Sequence, residues 1–133
     1  MAEKLKILIA EDEEVARQML QIAFRDGEQF ETRLSSDGEE ALAAFKAWQP
    51  DIVLLDIVMP HMNGFTALQT IRKTLKDAST TVIMVSSVTD KQDIVACVKL
   101  GIQGYVLKPF EVKTLAATVL GYHRQHKKVK TIS

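Results

Sequence analysis

Three acids, two serines and a lysine carry the chemistry available to this chain, and each sits where an apolar run ends. The stretch "DIVLLDIVMP" (51–60) is aliphatic up to Asp56 and again up to Pro60. A carboxylate with apolar neighbours on both sides risks losing its water, and a charge taken out of water without compensation costs several kcal/mol or more. "ILIAED" ends in Glu11 and Asp12, "TTVIMVSS" in Ser86 and Ser87, and "GYVLKP" in Lys108 and Pro109. Gathered at one place, Glu11, Asp12 and Asp56 would repel and raise their pKa values unless a cation lay among them. Hard oxygen donors with room for water suit Mg²⁺, which takes one or two carboxylates together with phosphate oxygens. Lys108 would add a second positive charge. Taken singly, the same residues have plainer readings. Asp12 fits a helix N-cap in an acidic first turn, Asp56 a turn residue, and Ser86 and Ser87 loop polars. Lys108 fits an exposed lysine in an extended dipeptide before proline. Their shared position at strand ends is what joins them.

That position depends on a regular alternation of elements. "KLKILIA" (4–10) has the pattern of a buried strand, and "EEVARQMLQIAF" (13–24) that of a helix with Val15, Met19 and Ile22 as its apolar stripe. "QFETRLSS" (29–36) alternates Phe30, Thr32 and Leu34 with polar residues, as an edge strand with one wet face does. A helix on Leu42, Phe45 and Trp48, the strand "DIVLLD" and a helix on Phe65, Leu68, Ile71 and Leu75 follow. "TTVIMVSS" is a strand, "KQDIVACVKLG" a helix closed by Gly101, "GYVLKP" a strand, and "EVKTLAATVLGY" (111–122) a last helix. Five strands alternating with five helices imply right-handed βαβ units and a parallel sheet covered on both faces. In such open sheets ligands bind beyond the carboxyl ends of the strands, where the strand order reverses.

Composition narrows the class. The chain has 133 residues, 47% of them hydrophobic and 26% charged, as expected for one soluble domain with a packed core rather than a disordered or disulfide-stapled chain. Its one cysteine, Cys97, lies at helical spacing in "DIVACVKL" and fits a small buried hydrophobe. No run approaches a membrane span or a signal peptide, so a cytoplasmic location and no membrane partner are expected. Lys plus Arg and Asp plus Glu both number 17, but residues 121–133 hold four basic residues and no acid. Residues 1–120 therefore carry 13 basic residues against 17 acidic ones, −4. An acidic body with a short basic end is no footprint for direct nucleic-acid binding. Residues 1–122 are expected to form the domain and 123–133 a basic C-terminal tail or linker, with His123 and His126 in solvent.

"ILIAEDEE", "DIVLLDIVMPHMNGF", "VIMVSS" and "GYVLKPF", in this order and spacing, resemble the receiver domain of two-component response regulators of the chemotaxis-regulator type, over about residues 4–122. The resemblance implies a flavodoxin-like doubly wound (βα)5 α/β fold, its five-stranded parallel sheet ordered 2-1-3-4-5. It also implies a phosphorylation-dependent switch that is not an enzyme beyond its own phosphorylation and dephosphorylation. Asp56 would accept a phosphoryl group from a histidine kinase or phosphotransfer protein. Glu11, Asp12, Asp56 and the backbone carbonyl of Val58 would hold Mg²⁺, Lys108 would pair with the phosphate, and Ser86 would donate a hydrogen bond to it. Tyr105 would change rotamer as Ser86 shifts. The Lys108–Pro109 bond is usually cis in the family. The face made by the fourth helix, fifth strand and fifth helix, about 91–122, would engage a downstream output protein or domain.

Some positions depart from the family pattern. Glu11 stands where many relatives have Asp, and Ser87 where alanine is usual. Val58 and Val88 occupy positions that influence acyl-phosphate hydrolysis in relatives. Neither can orient an attacking water, so slow dephosphorylation is expected without a phosphatase. His61 has no metal-ligating partner at a suitable spacing, and "GIQG" (101–104) follows a helix, which argues against a nucleotide loop. A haloacid-dehalogenase-type phosphatase would need an acid at position 58 and a cap domain for which there is no room. A flavin binder would need a Ser/Thr-rich first loop where this chain has Glu11 to Glu14. A receiver used as a phosphorylation-independent binding module stays open, as does the choice between a stand-alone regulator and part of a longer one.

Overall fold

A computed structural model describes residues 3–132, with side chains described through Lys128. Apolar residues on both faces of β1 (Leu5–Ala10), β3 (Ile52–Leu55) and β4 (Thr81–Ser86) drive these strands to the middle of the sheet. The shorter or more polar β2 (Phe30–Ser35) and β5 (Gly104–Leu107) take the edges, so Lys108 follows an edge strand rather than a central one. All pairs are parallel in the order β2-β1-β3-β4-β5, the order the resemblance implies. Leu8, Ala10, Val53, Leu55, Val82 and Met84 meet α2 (Gly38–Trp48), α3 (Gly64–Gln69) and α4 (Lys91–Leu100) on one face. Ile7, Ile9, Ile52, Leu54, Ile83 and Val85 meet α1 (Glu14–Ala23) and α5 (Val112–Ile132) on the other.

Register sets what lies at the carboxyl end. Ala10 pairs with Leu55, so Glu11 and Asp56 leave the sheet side by side. Ser86 pairs with Leu107, which brings Lys108 past the same edge, where its N–H donates to the Ser86 carbonyl at 3.0 Å.

Three sequence expectations are corrected. The apolar stripe of α1 is Leu20 with the half-buried Ala16, Met19 and Ala23, ending at Phe24, whereas Val15 is 70% and Ile22 49% exposed. Helix α3 runs into a π-helical turn, Thr70–Thr74, which leaves Leu75 exposed at its end. Helix α5 does not stop at Tyr122. It continues to Ile132, and His123 is buried instead of solvated. Its Nδ1 lies 2.7 Å from the buried Thr81 hydroxyl, which the half-buried His126 also reaches through Nδ1 at 2.9 Å. Lys127 donates to the Ser79 carbonyl at 2.7 Å, so the extension lies along the start of β4.

The π-turn presents Arg72 to the amino-terminal edge of the sheet. Its guanidinium donates to the carbonyls of Gly101, Asp77 and Thr80 and to Gln103 Oε1, at 2.8–3.1 Å. Arg72→Ala is expected to cost about 3 kcal/mol, because it strips a charged donor from several part-buried acceptors at once. Urea unfolding would measure this, and a loss below about 1 kcal/mol would show that the network is dispensable.

Candidate functional site

The acidic turn after β1 is held by backbone and by one side chain outside the cluster. Arg17, on the first turns of α1, donates to the carbonyls of Glu11 at 2.9 Å and Asp12 at 3.2 Å. Sequence reasoning missed Arg17, whose only signal is a cation helically placed behind the acids. Asp12 is not the N-cap of α1. Glu13 takes that position without a capping side chain, and the Asp12 carboxylate is left exposed.

Glu11 is fully buried and Asp56 is 5% exposed. Glu11, Asp12 and Asp56 each offer a carboxylate oxygen, and these atoms lie within 4.8 Å of one another. Lys108 Nζ lies 2.8 Å from Asp56 Oδ2, ion-pairs with Glu11 Oε1, and comes within 3.9 Å of Glu13 Oε1. One ammonium is thus shared between two buried carboxylates. Glu11 Oε2 accepts from the Glu13 N–H at 3.1 Å, and buried Oε1 is met by the Lys108 ammonium.

The electrostatics reflect this shortage of compensating charge. Burial raises the pKa of Glu11 above 4.5, against the hydrogen bonds from Lys108 and from the Glu13 N–H, and the neighbouring Asp56 raises it further. Burial lowers that of Lys108, but its hydrogen bonds to Asp56 and Glu11 outweigh burial and leave it raised. The two partners therefore differ: the lysine gains from the pair, while ionised Glu11 remains a net liability. An acid with a raised folded pKa stabilises at low pH, and that contribution is lost as pH rises through the folded pKa. In the presence of chelator, Glu11→Gln is therefore expected to gain melting temperature relative to wild type as pH rises from 4.5 to 7. Thermal melts across that range check it, and a difference moving the other way would refute it.

Ser86 is buried, and its Oγ accepts from the Val88 N–H at 3.2 Å. The Tyr105 hydroxyl donates to the Val88 carbonyl at 2.7 Å, with the ring packed on the core, and burial pushes the phenol pKa up. Val58 turns its side chain to solvent, and its N–H lies 3.4 Å from Asp56 Oδ1. Ser87 is exposed and Val88 half-buried beside the cluster. The Lys108–Pro109 bond is cis. The loop from Asp56 to α3 closes through Gly64, whose N–H donates to the Ile57 carbonyl at 2.8 Å. A Cβ there would stand 1.8 Å from the Asp56 carbonyl oxygen, so only glycine fits this approach.

The chain belongs to the response regulator receiver domain family, whose model matches residues 7–120. It is similar to the DNA-binding response regulator MtrA of Mycolicibacterium smegmatis, 38% identical over 86% of this chain and 48% of the relative. A probable transcriptional regulator, ycf27 of Guillardia theta, is 38% identical over 94% of this chain and 48% of its own length. The chain thus spans about half the length of these curated relatives. Among solved structures, the chemotaxis protein CheY4 of Vibrio cholerae superposes with a TM-score of 0.81 at 28% identity, covering 90% of this chain and 99% of that one. A LuxR-family DNA-binding response regulator from Staphylococcus aureus gives 0.79 at 30% identity, covering 90% and 98%. The fold is the CheY-like flavodoxin-like fold, and the domain is a two-component signalling domain rather than a classical enzyme. Among the described residues, no helix is long and apolar enough to cross a membrane.

Proposed function

We propose that this receiver is a cytoplasmic, phosphorylation-dependent switch with Asp56 as its phosphoacceptor. The observation that carries the reading is the lysine shared between two buried carboxylates inside a three-acid cluster. The donor set fits Mg²⁺, with Glu11, Asp12, Asp56 and the Val58 carbonyl as the residues that would hold it. When bound, Mg²⁺ supplies charge neutralisation to the phosphoryl oxygens. The protein's own groups do the rest. The Asp56 carboxylate attacks phosphorus as the P–N bond of a phosphohistidine breaks, giving an acyl phosphate on Asp56 and free imidazole on the kinase or phosphotransfer protein. Lys108, already at Asp56 Oδ2, moves its charge onto the incoming phosphoryl oxygens.

Phosphorylation adds about −1.5 to −2 charges beside carboxylates that already crowd one another. Ser86, whose Oγ accepts from the Val88 N–H, can relieve this by donating its hydroxyl hydrogen to the phosphoryl group, which draws the loop before α4 inward. Tyr105, bonded to the carbonyl of that loop, follows. The change reaches residues 91–122, where we place the output partner. The side chains of Val58 and Val88 offer no polar group to orient water, so the acyl phosphate is long-lived without a phosphatase; decay within seconds of donor removal would contradict this.

The test is the intact mass after incubation with acetyl phosphate and Mg²⁺. One added phosphoryl group, absent when Mg²⁺ is chelated, supports the switch. No gain by a protein that binds Mg²⁺ would favour a binding module that works unmodified.

A further inference from the structure

The loop from Asp56 to α3 is tied at its base by Gly64 and at its tip by α2. At the tip the Gly38 N–H donates to the Met62 carbonyl at 2.9 Å, and a Cβ on Gly38 would stand 2.3 Å from that oxygen. Beside this contact His61 Nδ1 lies 2.8 Å from Asp37 Oδ2, although the His61 side chain is 67% exposed. Between the ties the Met62 N–H donates to the Pro60 carbonyl at 2.7 Å, with His61 at φ 65°. A three-residue turn with positive φ at its centre is the rare, strained form of γ-turn. A residue other than glycine held there needs its surroundings to keep it. Among the described residues, the one side-chain hydrogen bond of His61 is to Asp37.

We propose that His61 is a positioning residue for the chemistry at Asp56: bridged to Asp37, it holds the strained turn and so fixes the backbone of Ile57 to Met59 beside the acceptor. The inference rests on the phosphoacceptor reading given under Proposed function. Asp37 is well placed to receive this bond, because its other oxygen, Oδ1, caps α2 by accepting from the Glu40 N–H at 2.8 Å. The charged groups facing His61 are Asp37, the N-cap of α2, and Glu39 in its first turn, both acidic. The hydrogen bond to Asp37 raises the His61 pKa, while the Glu40 N–H and then His61 lower that of Asp37. A histidine with a raised folded pKa holds its bridge fully at low pH and loses the charge-assisted part as pH rises through that pKa. The tie is therefore strongest below neutrality.

The test compares wild type with His61→Asn, which tolerates positive φ but carries no charge, and with Asp37→Asn, which keeps a helix cap. Amide hydrogen exchange of residues 57–62 is measured without metal or donor, and phosphoryl uptake by intact mass with Mg²⁺ and acetyl phosphate. Both variants are expected to exchange faster in this loop and to accept the phosphoryl group about two- to five-fold more slowly at pH 6, the range an exposed ion pair can supply. The deficit should shrink as pH rises past the His61 pKa. Exchange and uptake equal to wild type at every pH would overturn the proposal, as would equal slowing at all pH values in a variant with a lowered melting temperature. Failure of the wild type itself to take up a phosphoryl group would overturn the underlying reading instead, and the donor-free exchange data keep the two failures apart.

Discussion

Asparagine at position 56 is expected to leave a folded protein that takes up no detectable phosphoryl group from acetyl phosphate and Mg²⁺. The amide has the size of the carboxylate, and its oxygen can still accept from Lys108 across the 2.8 Å contact, so the packing around β3 has no reason to change. What disappears is the nucleophile, since an amide oxygen does not form a stable bond to phosphorus under these conditions. Weaker Mg²⁺ binding should accompany the loss, because one of three carboxylate donors within 4.8 Å is gone while Glu11 and Asp12 remain. Intact mass, circular dichroism and calorimetric Mg²⁺ titration read the three outcomes separately. Wild-type uptake by Asp56→Asn would place the acceptor on another residue, with the neighbouring Asp12 first in question.

The second large effect belongs to a residue with no chemistry of its own. Gly64→Ala would put a methyl group 1.8 Å from the Asp56 carbonyl oxygen and 3.1 Å from the Ile57 Cα. Both obstacles are backbone, so no side chain can swing aside and the loop itself must move by an ångström or more. Overpacking of this kind costs about 1–3 kcal/mol. The displaced segment also begins with the acceptor, and a misplacement of about 1 Å at a reacting group can cost about 100-fold in rate. We therefore expect Gly64→Ala to fold with a lowered melting temperature and to accept a phosphoryl group about 100-fold more slowly. Uptake within about three-fold of wild type would mean that the loop absorbs the methyl group without disturbing Asp56.

The acids were legible in the sequence because each interrupts or ends an aliphatic run with the pattern of a buried strand, and the lysine because it closes the half-buried edge strand β5. Their adjacency was not legible in that way. Their shared place at the strand ends pointed to one crevice, but the contacts within it follow from Ala10 pairing with Leu55 and Ser86 with Leu107, a register that local patterning does not encode. Helix α1 was misread because two stripes one position apart both satisfy a helical period. Of Val15, Met19 and Ile22 only Met19 is half-buried, while Leu20, with Ala16 and Ala23 beside it, is the residue that α1 buries. Arg17 and Arg72 resemble ordinary surface cations until their carbonyl partners are seen. The need of Gly64 to lie against the Asp56 carbonyl was not legible in the sequence.

The continuation of α5 past Tyr122 bears on how this domain can be isolated. A cloning boundary drawn where the helical pattern fades would remove His123 and His126, the partners of a Thr81 hydroxyl fully enclosed at the start of β4. It would also remove Lys127 from the Ser79 carbonyl. Since β4 ends in Ser86, such a truncation would loosen one end of the strand whose other end meets the acidic cluster. A shortened expression product would then report the behaviour of a damaged sheet, and a weak response to phosphodonor could be mistaken for a property of the switch.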